Sequence, residues 1–182
     1  MKCPFCDIES LKPRIFYQKG NWLGLLAAPA HSKGHSILFT LKGGVDCPNE
    51  INKLGPQIWD EMGPALKDMS YVLMKYYQPR DLLLASVRGD VRHFHFHLIP
   101  LWEKEEKMWR TERGYKERGH LLEYLGYLEI QGDTKCEKER RKKGWSEGKQ
   151  RNKITEKLAP DIHGLRSVSG YGMRPLFQEK EH

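Results

Sequence analysis

Residues 93–100 have the sequence HFHFHLIP, in which a histidine occupies every second position of the first five. Because successive side chains of a β-strand point to opposite faces, this spacing predicts a strand with all three histidines on one face. Phe94, Phe96 and Leu98 then share the other face and suit a hydrophobic core, and the final Ile-Pro is expected at the strand's end. A helix would scatter the same histidines around its surface. The stretch therefore predicts a core strand that presents three imidazoles together.

Three imidazoles on one face have two specific chemical uses. Neutral imidazole is the commonest metal ligand, and near neutral pH its ring nitrogen is also a nucleophile that becomes a good leaving group once bonded to phosphorus. A polar, solvent-facing strand side is the third interpretation, and it is less favoured for three histidines in register than for one. The pattern alone leaves metal binding and nucleophilic catalysis open.

The residues around the triad predict an antiparallel sheet with one main helix. Four further stretches have the composition of strands: RIFYQ (14–18), NWLGLLA (21–27), SILFT (36–40) and DLLLASV (81–87). Residues 56–77 carry apolar side chains three or four positions apart, which predicts a helix that begins at Pro56 and is kinked or split at Pro64. A turn at residues 88–90 would join the fourth strand to the histidine strand as a hairpin. The expected fold class is α+β.

The C-terminal part of the chain differs in composition from the rest. A helix is expected over residues 120–129, and beyond Gln131 the apolar periodicity is lost. We therefore expect a domain over residues 1–130 and a basic C-terminal extension over residues 131–182, which is either mobile or docked on the domain through residues such as Leu165.

Residues 135–157 of this extension account for most of the formal net charge of +7. Residues 135–157 contain ten Lys or Arg and four Glu, a net charge of +6, with Trp145 as a candidate stacking group. Nucleic-acid contact through residues 135–157 is the less favoured interpretation, because charge runs are more often solvated linkers and the interspersed Glu residues dilute the field.

Composition also limits the compartment and the cysteine chemistry. No stretch approaches the roughly 20 apolar residues that span a bilayer, and MKCPFCDIES lacks the apolar core of a secretory signal, so a cytoplasmic location without membrane contact is expected. In a reducing compartment the four cysteines favour metal ligation or free thiols over disulfides. The CPFC unit at residues 3–6 has the spacing of a zinc-ligand pair.

Two stretches of the sequence are similar to the histidine triad (HIT) family. HFHFHLI resembles the family signature His-φ-His-φ-His-φ-φ, where φ is apolar, at every position. NWLGLLAAPAHSKGHSILFTLK (21–42) resembles the family segment in which a strand enters a Pro-containing loop, followed by Gly-His and a strand ending near a Lys. The resemblance covers roughly residues 1–102. It implies a HIT-like antiparallel sheet and a nucleotide hydrolase or nucleotidyltransferase.

The resemblance also implies roles for individual histidines. His95 matches the nucleophile that attacks the α-phosphorus of a nucleotidyl compound, such as a dinucleoside polyphosphate or a nucleoside phosphoramidate, and forms a covalent nucleotidyl-imidazole. His97 and His35 match the histidines that contact the phosphate and assist the leaving group. No catalytic metal is required, and the resemblance is compatible with a homodimer because family members often dimerise. The alternatives are a nucleotidyltransferase to a second substrate and a non-catalytic nucleotide- or nucleic-acid-binding module.

In zinc-containing members of the family, the CPFC unit resembles two of four metal ligands, and His93 matches a third. The family histidine after the third strand is missing here, but aligning backward from the helix through NEINKL places Cys47 at that position if the loop holds about four extra residues. The resemblance thus implies a structural zinc held by Cys3, Cys6, Cys47 and His93, with free buried thiols as the alternative. Cys136 is expected to be a free thiol.

The approach to the triad departs from the family pattern. The family commonly has a Gly-Gln-Ser/Thr-φ approach whose side chains bind phosphate, whereas this chain has ASVRGDVRH. Ser86 is the expected hydrogen-bonding substitute, and Arg88 and Arg92 are expected to supply positive charge for the substrate. An apolar wall for the nucleoside is expected from the early strands, with Phe16, Leu25 and Leu26.

Overall fold

A five-stranded antiparallel sheet is the centre of the computed structural model of the protein. The structure describes residues 3–28, 30, 32–41, 47, 54–86, 91, 93–113, 138, 141–143 and 147–170. The strands are β1 (Ile15–Lys19), β2 (Trp22–Leu26), β3 (Ser36–Thr40), β4 (Asp81–Ala85) and β5 (His95–Leu101), and their order in the sheet is β1-β2-β3-β5-β4. Together with the helices described below, the sheet confirms the expected α+β class.

The histidine strand β5 lies inside the sheet, between β3 and β4. It begins at His95, so His93 and Phe94 precede it, and it continues to Leu101 instead of ending at Pro100. Pro100 is paired with Leu82 of β4. The antiparallel β4–β5 pair confirms the predicted strand pairing, and the predicted turn at residues 88–90 lies outside the described residues.

The main helix, α2 (Pro56–Tyr77), has the predicted bounds. Pro64 lies within it and does not split it. The helix remains one unit because apolar residues on both sides of the proline, including Ile58, Met69 and Leu73, are buried in one core cluster.

Each face of the sheet has its own apolar cluster, because alternate strand residues point to opposite sides. The helix-side core lies under α2 and includes Trp22, Leu38, Phe94 and Leu98. The smaller histidine-side cluster lies on the other face, and its buried members are Phe5, Leu11, Ile15, Leu23, Leu25 and Phe39. The predicted separation of Phe94, Phe96 and Leu98 from the histidines is thus confirmed, with Phe96 partly buried against the helix-side core.

The N-terminal segment forms short helical turns that the sequence analysis did not predict. Residues Pro4–Cys6 and Lys12–Arg14 are 3-10 turns, and between them lies α1 (Ile8–Leu11), at whose N-terminus the Asp7 carboxylate accepts from the Ser10 backbone N–H at 3.4 Å. The segment contributes Phe5 and Leu11 to the histidine-side cluster. These turns therefore place the first two cysteines next to the triad.

Helices α3 (Glu103–Arg113) and α4 (Glu147–Ser169) follow the sheet. The sequence analysis missed α4, although the docked alternative for Leu165 agrees with the structure: Leu165 is fully buried and Ile162 is nearly so, both in the helix-side core. The apolar residues of α4 are too sparse to form a recognisable periodic pattern, because the stability of this helix comes from tertiary packing. The expected helix over residues 120–129 and the chain beyond Gly170 lie outside the described residues. Within the described ranges, no helix is long and apolar enough to cross a membrane.

Candidate functional site

Three imidazoles lie in contact at the end of the histidine face. His95 and His97 belong to β5 and are paired with Phe39 and Ile37 of β3, while His35 immediately precedes β3. The Nε2 atoms of His95 and His97 are 3.0 Å apart, and Nδ1 of His97 is 3.0 Å from Nε2 of His35. The structure thus brings together the three predicted catalytic histidines, although 60 residues separate His35 from the other two in sequence.

The proton of the His95 ring is placed by a backbone acceptor. Nδ1 of His95 lies 2.5 Å from the carbonyl oxygen of His93. A carbonyl only accepts, so Nδ1 carries the hydrogen and Nε2 of the neutral ring has a free lone pair. Burial lowers the pKa of His95, against the smaller opposing effect of the His93 carbonyl, so the neutral ring is the form present near neutral pH. This is the protonation state that a nucleophile requires.

The same bond determines the direction of the neighbouring hydrogen bonds. Because Nε2 of His95 accepts, Nε2 of a neutral His97 must donate, which leaves Nδ1 of His97 to accept from Nε2 of His35. The three rings form a chain in which every proton points toward His95. A substrate oxygen that entered beside His95 would therefore find a donor on His97.

The predicted metal ligands also lie together. The ligand atoms of Cys3, Cys6, Cys47 and His93 are all within 4.8 Å of one another, and no disulfide joins these three cysteines. The three Sγ atoms lie 3.4, 3.6 and 3.6 Å from Nδ1 of His93. In a tetrahedral zinc site with bonds of about 2.3 Å to sulfur and 2.0–2.1 Å to nitrogen, the sulfur-to-nitrogen edge is about 3.6 Å. The observed separations fit a Cys₃His zinc site.

The chemistry of the donors fits a cation as well. Burial, together with hydrogen bonds and charge from Cys3 and Cys6, raises the pKa of the Cys47 thiol to about 12. Three crowded sulfurs therefore resist becoming thiolates on their own, and a divalent cation reverses that preference. With all four ligands from protein, Zn²⁺ would supply a closed structural crosslink and no open coordination position.

His93 is prepared as a ligand by its other ring nitrogen. Its Nε2 donates to the carbonyl oxygen of Thr40 at 2.8 Å, which leaves the lone pair on Nδ1, the atom that faces the cysteines. Burial also lowers the pKa of His93, partly offset by the Thr40 carbonyl, and keeps the ring neutral. A backbone acceptor that orients a metal-binding imidazole is the usual arrangement around zinc.

The predicted substrate-binding residues are only partly within the described chain. Ser86 Oγ donates to the carbonyl oxygen of His95 at 2.9 Å, so this hydroxyl supports the backbone of the histidine strand. Arg88 and Arg92 lie outside the described residues, as does Cys136. Substrate binding by Arg88 and Arg92 stays a prediction, and so does a free thiol at Cys136.

The expected nucleoside wall needs a correction. Phe16 and Leu26 belong to the helix-side core, and only Leu25 lies in the histidine-side cluster. Leu25 and Leu26 are consecutive in β2, so their side chains must point to opposite faces. The apolar side chains nearest the triad instead come from the histidine-side cluster, with partly buried Ile8 and Ile37 at its margin. A register count on β2 would have separated Leu25 from Leu26.

Phe5 is a buried aromatic ring beside His95 that was not predicted as a site residue. It lies between Cys3 and Cys6, and its centroid is 5.1 Å from the His95 ring and 5.6 Å from the His93 ring. Its position inside the CPFC unit was visible in sequence, but its partners were not.

The chain is similar to HIT proteins of known structure. A HIT family protein from Bacillus subtilis shares 20% sequence identity with it, over 57% of this chain and 76% of the other, with a TM-score of 0.49. A HIT family protein from Bacillus anthracis is 21% identical over 75% of this chain and 96% of the other, with a TM-score of 0.48. A zinc-bound histidine triad family protein from Mycobacterium smegmatis is 22% identical over 57% of this chain and 77% of the other, with a TM-score of 0.46. No protein-family model and no curated protein sequence matches the chain.

Proposed function

We propose that the protein is a nucleotide hydrolase that cleaves a bond at the α-phosphorus of a nucleotidyl compound through a covalent nucleotidyl-His95 intermediate. The observation that carries the proposal is the state of the His95 ring: the His93 carbonyl holds a proton on Nδ1, and the unprotonated Nε2 faces His97. Dinucleoside polyphosphates and nucleoside phosphoramidates are the substrate classes with a suitable leaving group.

In the first step, the lone pair on Nε2 of His95 forms a bond to the α-phosphorus, and the bond from phosphorus to the leaving oxygen or nitrogen breaks. His97 donates its Nε2 proton to the leaving group while the Nε2 proton of His35 passes to Nδ1 of His97, which keeps His97 neutral. The step requires a His35 ring that begins with protons on both nitrogens, and the second step returns the proton to it. The nucleotidyl-imidazole carries a positive charge on the His95 ring, which the His93 carbonyl stabilises through Nδ1–H.

In the second step, water attacks the phosphorus from the side opposite His95. The phosphorus–nitrogen bond breaks, its electrons return to Nε2 of His95, and one proton of the water passes to His97. The products are a nucleoside monophosphate and the regenerated triad. No metal takes part in either step.

The surroundings of the triad support a phosphate with an apolar neighbour. Ile37, which is paired with His97, offers partly buried apolar surface on which a base could pack. Ser86, Arg88 and Arg92 are proposed to assist phosphate binding, the two arginines by charge and Ser86 by rotating its hydroxyl proton from the His95 carbonyl to a phosphate oxygen.

Intact-mass measurement after mixing the protein with adenylyl and guanylyl compounds tests the proposal directly. We expect a nucleotidyl adduct on wild type or on His97→Ala, whose turnover should fall by roughly 10²–10⁴-fold because the proton donor is lost. His95→Ala should form no adduct and no product while keeping substrate binding. His163→Ala, which changes an exposed histidine of α4, is the matched control and should behave as wild type.

Each alternative gives a different result. Product formation without any adduct on wild type or His97→Ala would refute the covalent mechanism. An adduct that passes the nucleotide to an added acceptor in preference to water would identify a transferase. Binding without product, abolished by salt and by deletion of residues 135–157, would identify a binding module instead.

A further inference from the structure

The turn formed by residues 3–6, here called the cysteine turn, holds an aromatic ring against the proposed nucleophile. The backbone N–H of Cys6 donates to the carbonyl of Cys3 at 3.2 Å, which closes the turn around Pro4 and Phe5. The Phe5 side chain is only 7% exposed and stacks on Phe39 with centroids 4.8 Å apart. The Phe5 ring also contacts the rings of His93 and His95.

A second connection between the cysteines and His95 runs through the backbone of His93. Its ring faces the three sulfur atoms, and its carbonyl oxygen accepts the proton of His95 Nδ1. Whatever fixes the His93 side chain also restrains the carbonyl that sets the tautomer of His95. The cysteine turn therefore contacts His95 through Phe5, and the metal-ligand cluster contacts it through the His93 carbonyl.

Contacts of this kind are needed because the rotamer of a histidine does not by itself orient its ring. The χ2 torsion of histidine is broad and roughly two-fold, so a flip that removes Nδ1 from the His93 carbonyl meets little intrinsic resistance. The tilted contact between Phe5 and His95, with an interplanar angle of 55°, fills the space through which the ring would turn. Packing thus supplies an orientation that covalent geometry leaves open.

We infer that Phe5 is a positioning residue for His95, and that the cysteine turn with its metal-ligand cluster orients the nucleophile through Phe5 and the His93 carbonyl in addition to stabilising the fold. This inference rests on the proposed role of His95 as nucleophile. Loss of the Phe5 ring, or of the metal that orders the turn, then weakens the Nδ1–H bond of His95 and misaligns Nε2.

The test measures the tautomer of the His95 ring in the absence of substrate. In ¹⁵N-imidazole NMR spectra of the full chain at constant pH, with the His95 signals assigned by His95→Gln, the zinc-loaded wild type should show a single Nδ1–H tautomer. Phe5→Leu, with zinc content verified, should shift or broaden the His95 nitrogen signals. Chelation of zinc from wild type should do the same, and adding zinc back should reverse it.

Phe94→Leu is the matched control for Phe5→Leu. Phe94 is 4% exposed and directly precedes His95, but it packs in the helix-side core against Trp22 and Phe96. The same substitution there should lower stability comparably and leave the His95 signals unchanged. The inference is overturned if the His95 signals change equally in both variants, or if they do not change in Phe5→Leu. Because this comparison uses zinc-loaded protein, it holds even if the metal-free protein unfolds.

Reactivity gives an independent measurement. Phe5→Leu should form the nucleotidyl adduct roughly tenfold more slowly than wild type, less than the ~100-fold that a 1 Å misplacement costs. Phe94→Leu should form it at the wild-type rate. A wild type that shows the expected NMR spectrum but never forms an adduct would refute the proposed function and leave the positioning of His95 intact.

Discussion

His93 uses three of its atoms for three different partners. Nδ1 faces the cysteine sulfurs, Nε2 donates to Thr40, and the backbone oxygen accepts from His95. The metal-ligand cluster and the imidazole chain are therefore joined through one residue. Neutral rings are needed at both places, and burial favours the neutral form of His93 and of His95.

Replacing Cys47 by Ser should remove most of the bound zinc, because a thiolate ligand 3.6 Å from Nδ1 of His93 is lost. We expect a fall in zinc affinity larger than the roughly 10–100-fold that follows from losing an outer-shell contact. The measurement is zinc per protein after dialysis against a competing chelator. Cys136→Ser is the control and should retain zinc; equal zinc in Cys47→Ser and wild type would remove Cys47 from the site.

Ser86→Ala separates a supporting role from substrate binding. Loss of the 2.9 Å bond to the His95 carbonyl should lower the free energy of unfolding by about 1 kcal/mol, which urea denaturation measures. If Ser86 also contacts substrate, KM should rise in the same variant. Unchanged stability would show that the hydroxyl does not support the strand.

At the scale of elements, the C-terminal helix α4 is held by contacts with α2 that its own sequence pattern does not predict. Asp161 accepts from the Tyr77 hydroxyl at 3.0 Å and from the Tyr76 hydroxyl at 3.4 Å. Burial and the neighbouring Asp161 carboxylate raise the pKa of both tyrosines, so the hydroxyls stay protonated donors. Gly164 lies against the ring of Tyr76. The close approach of α4 to α2 thus depends on a residue without a side chain.

Gly164→Ala should destabilise the protein, against the usual gain of about 1 kcal/mol for alanine over glycine inside a helix. The new Cβ would overlap the Tyr76 ring, and moving that ring disturbs its contact with Asp161, so we expect a loss of about 1–3 kcal/mol. Gly63→Ala is the matched control in α2, where a Cβ meets no atom within 4 Å and should be tolerated. Urea denaturation of both variants measures the difference, and a Gly164→Ala protein as stable as wild type would contradict the predicted overlap.

At the scale of the whole molecule, α4 returns to the beginning of the chain. Arg166 donates to the carbonyl oxygens of Ile15 at 2.8 Å and Lys12 at 3.0 Å, and Ser169 donates to that of Phe16 at 2.6 Å. Strand β1 is at the edge of the sheet, where backbone groups lack a neighbouring strand. The helix satisfies part of this edge while burying Ile162 and Leu165 in the helix-side core.

A fragment of residues 1–130 should therefore be less stable than the full chain. It lacks α4, so part of the helix-side core and the carbonyl groups of β1 become exposed. The midpoint of thermal unfolding, measured by circular dichroism, should fall, and Leu165→Ala in the full chain should cost about 2–5 kcal/mol. Exposed Ser167→Ala should have little effect. Equal unfolding midpoints for fragment and full chain would instead support an independent domain over residues 1–130.

Local periodicity made most of the sheet and the main helix predictable. The alternation in HFHFHLIP, the apolar residues three or four apart in 56–77 and the strand composition of 36–40 all depend on neighbours within four positions. The proposed roles of His95, His97 and His35 and the zinc ligands rest on family resemblance, since no spacing rule links Cys47 to Cys3 or His35 to His97. The structure then brought each of these groups together.

The sequence by itself determined the strands of the sheet, the main helix α2 and which face of β5 carries the histidines, because these follow from short-range sterics and burial. Only the tertiary structure decided that His93 contacts both the cysteines and His95, and that Phe5 packs on His95. It also decided that Leu26 lies on the face opposite the histidines and that α4 docks on β1. Each of these contacts joins residues far apart in the chain or depends on sheet register. Their free energy comes from packing and from backbone acceptors, which no local pattern of side chains encodes.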